Sequence, residues 1–201
     1  MITVEFRAEL GPEERAELDE MIAEAAAYDA EAGFSTVEPA GGAERDADGG
    51  SEVFQAVARL NPGMHGSPDT PLVAFLRLDV DRAGGAVAQL LVHRDYRSLG
   101  IGTLMLELLS ERDGDGWAGT GAVSISGWAR GGHPAAERMA RRLGAQVERS
   151  TFKLMRGDEV RLVEAADEAS VLMARSEGFV HEHTDVCYVW RIQVPQAPAA
   201  P

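Results

Sequence analysis

Apolar and polar positions along this chain form short alternating runs, interrupted by Gly-, Pro- and Asp-rich punctuation. Ile2 to Phe6 alternate and predict a strand. Pro12 stands at the first position of a predicted helix over 12–32, where Leu18, Met21, Ile22, Ala25 and Ala26 make an apolar stripe. Residues 39–51, PAGGAERDADGGS, read as a loop, and Asn61–Pro71 as a second loop with three prolines. Between and after them, Val53–Leu60, Leu72–Leu78 and Ala86–Val92 read as strands, the last two joined by a turn over Asp79–Gly85. A helix is predicted from about Gly100 to Arg112, with Leu104, Met105, Leu108 and Leu109 at helical spacing. Asp113–Gly121 is a Gly-rich connection holding Trp117. Val123–Trp128 predicts a strand, Pro134–Leu143 a helix with Gly144 as its C-cap, and Val147–Met155 a strand. Strands and helices so interleaved predict an α/β (α+β) fold.

The pattern then repeats. Residues 135–144 read AAERMARRLG and residues 169–178 read ASVLMARSEG. Ala, Met, Ala, Arg and Gly recur at matching places, and each helix is followed by a strand-like run, VERSTFKLMR and then HEHTDVCYVWR. The chain thus ends its fold twice. The first copy follows the preceding elements by a short connection, so it is expected to hold the place in the sheet. The second copy, carrying Val160, Leu162, Val171, Met173, Phe179, Val186, Tyr188 and Trp190, is too apolar for a solvated tail. It is expected to add at a sheet edge or to exchange with a neighbour, giving a homodimer through residues 159–192. The expected division is therefore 1–157 for the main domain, 158–192 for an extra strand–helix–strand, and 193–201 for a Pro/Ala-rich disordered tail.

Composition narrows the functional classes. The chain has 201 residues, 45% of them hydrophobic, enough for one domain with a substantial core. Its formal net charge of −14 argues against nucleic acid or an anionic membrane as the main partner and suits a small amine. Cys187 is the single cysteine, so no internal disulfide forms, in keeping with a reducing compartment. No apolar run approaches the ~18 residues of a membrane span, and the first residues read as a strand rather than a leader, so a cytoplasmic protein is expected. Richness in Ala, Gly, Arg and Glu suggests a GC-rich bacterial source.

The chemistry concentrates in VAQLLVHRDYRSLGIGTLMLELL, residues 87–109. A strand ends at Val92, a turn carries Arg97-Ser98-Leu99-Gly100-Ile101-Gly102, and a helix starts at once. The first N–H groups of a helix have no partner within it, and the macrodipole adds positive potential there. Gly100 and Gly102 let a phosphate approach the backbone, so this is a predicted anion site. A dinucleotide fingerprint would need G-x-G-x-x-G between this strand and helix, and a P-loop G-K-[ST]; the turn over Arg97–Gly102 fits both worse.

R-x-x-G-x-G after a strand resembles the acetyl-CoA signature of the GNAT N-acetyltransferases. The predicted element order is similar to theirs: a mixed, bent sheet with helices on both faces. The resemblance implies that pantetheine pairs with the open backbone of Leu90, Leu91 and Val92. It also implies that the pyrophosphate lies over the N–H groups of Arg97, Ser98, Leu99, Gly100, Ile101 and Gly102, with Thr103 in the first helical turn. The doubled ending resembles one branch in particular, the mycothiol synthases of actinobacteria, which are tandem GNAT proteins. Residues 128–156 look like the end of their first domain and 160–191 like the end of their second, with the intervening part missing. This resemblance implies acetyl transfer from acetyl-CoA, as co-substrate and without a metal, to a cysteinyl amine. It also implies that Glu38 reaches the sugar–inositol acceptor.

Acetyl transfer to an amine needs an oriented and polarised thioester, a base and an acid. Where that family's active domain has a Glu on the signature strand, this chain has Ala86. Where it has a Tyr acid, this chain has Ala140 and Ala174, and a further substrate-contacting Tyr aligns with Leu162. The catalytic residues are therefore not identified from the sequence, and a GNAT-fold module that binds acetyl-CoA with little chemistry is the alternative. A remote, water-mediated base would be Asp79, Asp81 or Glu52. His181, His183 and Asp185 share one face of a strand; a solvent-facing strand edge is the expectation, not a metal site. Trp128 reads as core, with lining of the acceptor cleft as the alternative; His133 is a second candidate for that lining. Cys187 reads as a packed strand residue.

Overall fold

The computed structural model describes residues 2–31, 34, 52–62, 70–110, 117 and 119–191. The predicted elements through the first ending form with small boundary shifts. They are β1 (Ile2–Arg7), α1 (Pro12–Glu31), β2 (Glu52–Leu60), β3 (Leu72–Val80), β4 (Gly85–Val92), α2 (Ile101–Ser110), β5 (Ser124–Ala129), α3 (Pro134–Leu143) and β6 (Gln146–Arg156). β7 (Glu159–Glu164), α4 (Glu168–Ser176) and β8 (Val180–Arg191) follow. The predicted loops over 39–51 and the tail 193–201 lie outside the described residues.

All eight strands belong to one sheet, in the order β1-β2-β3-β4-β5-β8-β6-β7. β1 to β4 form an antiparallel meander. β5 pairs parallel to β4, and only over Gly85–Ala88 opposite Ser124–Gly127. β8 runs antiparallel to β5 on one side and to β6 on the other. β7 pairs with the far edge of β6.

This topology corrects the expectation for the second ending. β8 is not an edge addition, because it fills the place between β5 and β6 of its own chain. Geometry explains the choice. β5 and β6 both run opposite to β8, so a long strand between them satisfies hydrogen bonds on both of its edges. Within β8, Asp185, Cys187 and Val189 are buried, a burial that an edge strand would not provide. The edge falls to the shorter β7, whose Val160 and Leu162 stay exposed.

Side-chain alternation divides the helices between two faces. α2 puts Ile101, Met105, Leu106 and Leu109 against Ala56, Ala58, Leu76, Leu78, Ala86 and Ile125, and Met139 and Leu143 of α3 join the same cluster. α1 covers the opposite face, with Leu18, Met21 and Ala25 against Val57, Phe75 and Leu91. α4 buries Val171 and Ala174 against Leu154, Val163 and Phe179. Trp117 packs against Trp190, ring centroids 4.0 Å apart, which fixes β8 to the core under α2.

Candidate functional site

β4 and β5 part company beyond Ala88. Their parallel pairing ends there, while β4 stays bonded to β3 as far as Val92 opposite Ala74. β5 continues beside β8 as far as Ala129 opposite Val186. Two strands that share a ladder at one end and separate at the other leave a wedge, with backbone groups of Gln89–Val92 facing it. Leu90, Leu91 and Val92, expected to hold pantetheine, border this wedge, and all three line a cavity of about 310 Å3. The cavity runs between α2 and α3, past Ile101, Leu106, Met139, Leu143 and Trp190. Its wall is mostly apolar; Asp29, Tyr96, Arg97, Ser98, Arg130 and His133 stand around its mouth, and Tyr188 is a further polar group on it.

At the mouth the chain turns from β4 into α2. His93 caps a single 3-10 turn over Arg94–Tyr96, its Nδ1 accepting from the Asp95 N–H. Ser98 and Gly100 both take left-handed backbone angles, φ +67° and +81°. A Cβ on Gly100 would meet nothing within 4 Å, so the space above it is open. The first helical bond of α2 runs from the Leu104 N–H to the Gly100 carbonyl at 2.9 Å. The N–H groups of Ile101, Gly102 and Thr103 stand ahead of it, as an anion site requires. Gly102 has a different reason to be glycine. A Cβ there would lie 3.1 Å from Leu90 Cδ2 and 3.3 Å from Met139 Cε, so its small size seats α2 against β4 and α3.

Arg97 does something the sequence did not suggest. Its guanidinium grips Asp29 of α1, Nη1 to Oδ1 at 2.5 Å and Nη2 to Oδ2 at 3.2 Å. Its Nε donates to the Val92 carbonyl at 3.2 Å, and its Cζ lies 5.4 Å from the Tyr28 ring centroid. A side chain tied to α1 and to the end of β4 is a brace for the turn. What remains for an anion at this position is the backbone of the turn, not a free guanidinium.

On the far side of the mouth, His133 caps α3, its Nδ1 accepting from the Ala135 N–H at 3.1 Å. Its ring lies 4.6 Å from that of Phe34, which continues from the end of α1. Burial holds the His133 pKa below its usual value, with Arg97 and Arg138 lowering it further and Asp29 opposing them. Tyr188 of β8 also lines the cavity, and its phenol is pushed above its ordinary range, chiefly by burial. Tyr188 and Trp190 were legible as strand residues but not as cavity residues, because only the central position of β8 brings them there.

The remaining candidates fall into place as follows. Asp79, Asp81 and Glu52 do not line the cavity. Asp79 is held by Arg77, Nη2 to Oδ1 at 2.8 Å. Asp81 closes the β3–β4 turn, accepting from the N–H groups of Ala83 and Gly85, and Glu52 pairs in register with Val80 at that same distal end. Glu38 lies outside the described residues. Asp185 is no solvent-facing edge residue: it is buried, and accepts from Arg130 Nη1 at 3.0 Å and from the Gly131 N–H at 2.7 Å. His183 Nε2 lies 3.4 Å from its Oδ1. Trp128 is half-buried, and both it and His133 line the cavity. Cys187 is packed, 2% exposed, and burial followed by the Glu148 carboxylate raises its thiol pKa. Among the described residues no group of three or more His, Cys, Asp and Glu is placed to hold a metal ion. No helix among them is long and apolar enough to cross a membrane.

No protein-family model matches the chain. Among curated proteins, it is 32% identical over 122 residues to a mycothiol acetyltransferase of Amycolatopsis mediterranei, covering 61% of this chain and 35% of that protein. It is 36% identical over 129 residues to a mycothiol acetyltransferase of Parafrankia sp., covering 57% of this chain and 35% of that protein. The chain thus spans about a third of the length of these relatives. Among solved structures, the ribosomal-protein-S18-alanine N-acetyltransferase of Escherichia coli superposes over the whole of both chains, with a TM-score of 0.58 at 15% identity. An acetyltransferase of the GNAT family from Streptococcus pneumoniae gives 0.56 at 14% identity over 94% of this chain and 100% of its own. With its strand order, its parted β4 and β5 and its helix start at the wedge, this chain has the GNAT acetyltransferase fold.

Proposed function

We propose that this chain binds acetyl-CoA in the wedge and transfers its acetyl group to the amine of a small molecule, in the manner of a mycothiol synthase. The observation that carries the reading is the wedge: open backbone at Gln89–Val92, beside an apolar channel, ending at the unpaired N–H groups that start α2. An extended pantetheine arm matches the first two, and a pyrophosphate matches the third. Leu90 and Val92 are only half-buried, as residues lining an open groove are.

Ala86, Ala88 and Leu90 of β4 present no ionisable side chain to the cavity. Tyr188 supplies a phenol instead. Held in its neutral form, it has a proton to give to the thiolate that leaves when the amine attacks the thioester carbon. Asp29 is committed to Arg97, and His133 Nδ1 to the α3 cap, so neither is a free base. That shortage favours slow transfer, or a binding module with little chemistry, over an efficient enzyme.

The test is a mass-spectrometric assay of acetyl transfer with acetyl-CoA and a panel of amines, beside calorimetric titration of acetyl-CoA. Binding with transfer that falls at least ~10-fold in Tyr188→Phe supports the reading. Binding without transfer leaves the module. Absence of binding overturns both.

A further inference from the structure

The face of the sheet away from α2 and α3 carries a cluster that the acetyl donor does not use. Trp128 of β5, Cys187 of β8 and Arg149 of β6 are register neighbours across three strands. By strand alternation they lie on the opposite face from Gly127, Tyr188 and Trp190, and Trp128 borders the channel from that side. Among the described residues, α1 covers this face only over β2 to β4. Even so, Cys187 and Asp185 are 2% and 5% exposed.

Among the described residues, Arg130 and His183 stand beside Asp185, and Arg149 beside Cys187. The guanidinium carbons of Arg130 and Arg149 each lie 4.9 Å from the centroid of Trp128. Arg130 is aimed by Asp185, which takes one Nη1 donor at 3.0 Å. Arg149 meets its carboxylate neighbour Glu164 only at 4.0 Å, and its side chain is 54% exposed. Glu148, the other acid nearby, stands 4.0 Å from Cys187 Sγ and 3.9 Å from Arg191. A guanidinium has five N–H donors in a rigid fork, so most donors on both arginines remain for an oxyanion. Trp128 and Arg130 also border the mouth of the wedge, which joins this platform to the place where the thioester lies.

We propose that Trp128, Arg130 and Arg149 receive an oxyanion, a carboxylate or a phosphate, carried by the amine acceptor, and so select anion-bearing amines. The proposal rests on the acetyltransferase reading above. With the donor in the channel under α2 and α3, the amine reaches the thioester from the opposite face. The rest of the acceptor then lies over Trp128, with its oxyanion between the two forks.

Two measurements test this, and the first does not depend on turnover. In CoA-saturated protein, the Nε–H resonances of Arg130 and Arg149 and the indole N–H of Trp128 are followed by NMR. Matched pairs are titrated: amino acids against their amides, and aminosugar phosphates against the parent aminosugars. Saturable shifts for the charged member of at least one pair, lost in Arg149→Gln, are expected. Equal shifts with neutral members, or none in either arm, overturn the proposal. The second measurement is kcat/KM. The preference for charged over neutral acceptors should fall about 10–100-fold in Arg149→Gln, recover in part in Arg149→Lys, and leave KM for acetyl-CoA unchanged. A preference that ignores Arg149 overturns the proposal. Anion binding at these resonances without acetyl transfer to any amine would instead remove the activity reading and leave the site.

Discussion

The Asp29–Arg97 pair should be the strongest single tie between α1 and the turn that opens α2, and its removal is predicted to cost both stability and donor affinity. Two charge-assisted bonds join the groups, at 2.5 and 3.2 Å, and the side chains are 11% and 21% exposed. Breaking a fully buried pair by deleting one partner costs about 3–5 kcal/mol, and a hydrogen bond to a charged group contributes about 1.5–3 kcal/mol. Here the stranded guanidinium keeps the Val92 carbonyl and the Tyr28 ring and reaches some water. Asp29→Ala should therefore fall near 2–3 kcal/mol, a loss of about 4–12 °C in Tm for a chain of this size. Arg97→Ala should cost a similar amount. In a double-mutant cycle read by urea unfolding, the coupling should reach about 1.5–3 kcal/mol. Calorimetry should also show acetyl-CoA bound about tenfold more weakly by Asp29→Ala, because an unbraced turn must be ordered on binding. A coupling below about 0.5 kcal/mol would show that the pair is an incidental contact and that other packing positions the turn.

Four further outcomes are expected. Gly100→Asp should abolish the rise in melting temperature that acetyl-CoA gives the wild type, since a carboxylate there repels the pyrophosphate; an unchanged rise would displace the anion from this turn. Gly100→Ala, with open space around its Cβ but φ +81°, should lose only about 1–2 kcal/mol of stability. Removing residues 158–201 takes β8 from between β5 and β6, so the truncated chain should lose cooperative unfolding by circular dichroism; a folded monomer would mean that β6 closes the gap unaided. His133, held below its usual pKa near 6.5, stays neutral in the folded state at pH values where the unfolded chain is already protonated. Its contribution is then present above about pH 6.5 and shrinks as the pH falls toward its lowered pKa. His133→Asn, which keeps an α3 cap, should flatten the dependence of Tm on pH between about 5 and 7.

Much of the order of elements was legible because it is written in local periodicity. The stripe of α1 at Leu18, Met21 and Ala25 is buried as its spacing required, and Gly144 caps α3 in the left-handed region at φ +69°. The turn from β4 into α2 was legible for the same reason: glycine positions and an abrupt change of period mark a helix start. The doubled ending was legible as a repeat, but not as a topology. Both copies carry the same apolar pattern, and a pattern states which face is buried, not which strand lies alongside. That choice depends on pairing between segments far apart in the chain, where a long antiparallel strand satisfies two edges at once and a short one is left outside. The same limit hid Asp29, which reaches Arg97 across 68 residues, and Tyr188, which reaches the cavity only because β8 lies beside β5. The sequence by itself determined the elements, the glycine-marked turn that opens α2 and the buried faces. Only the tertiary structure decided the neighbour of each strand, and with it the side chains that surround the wedge.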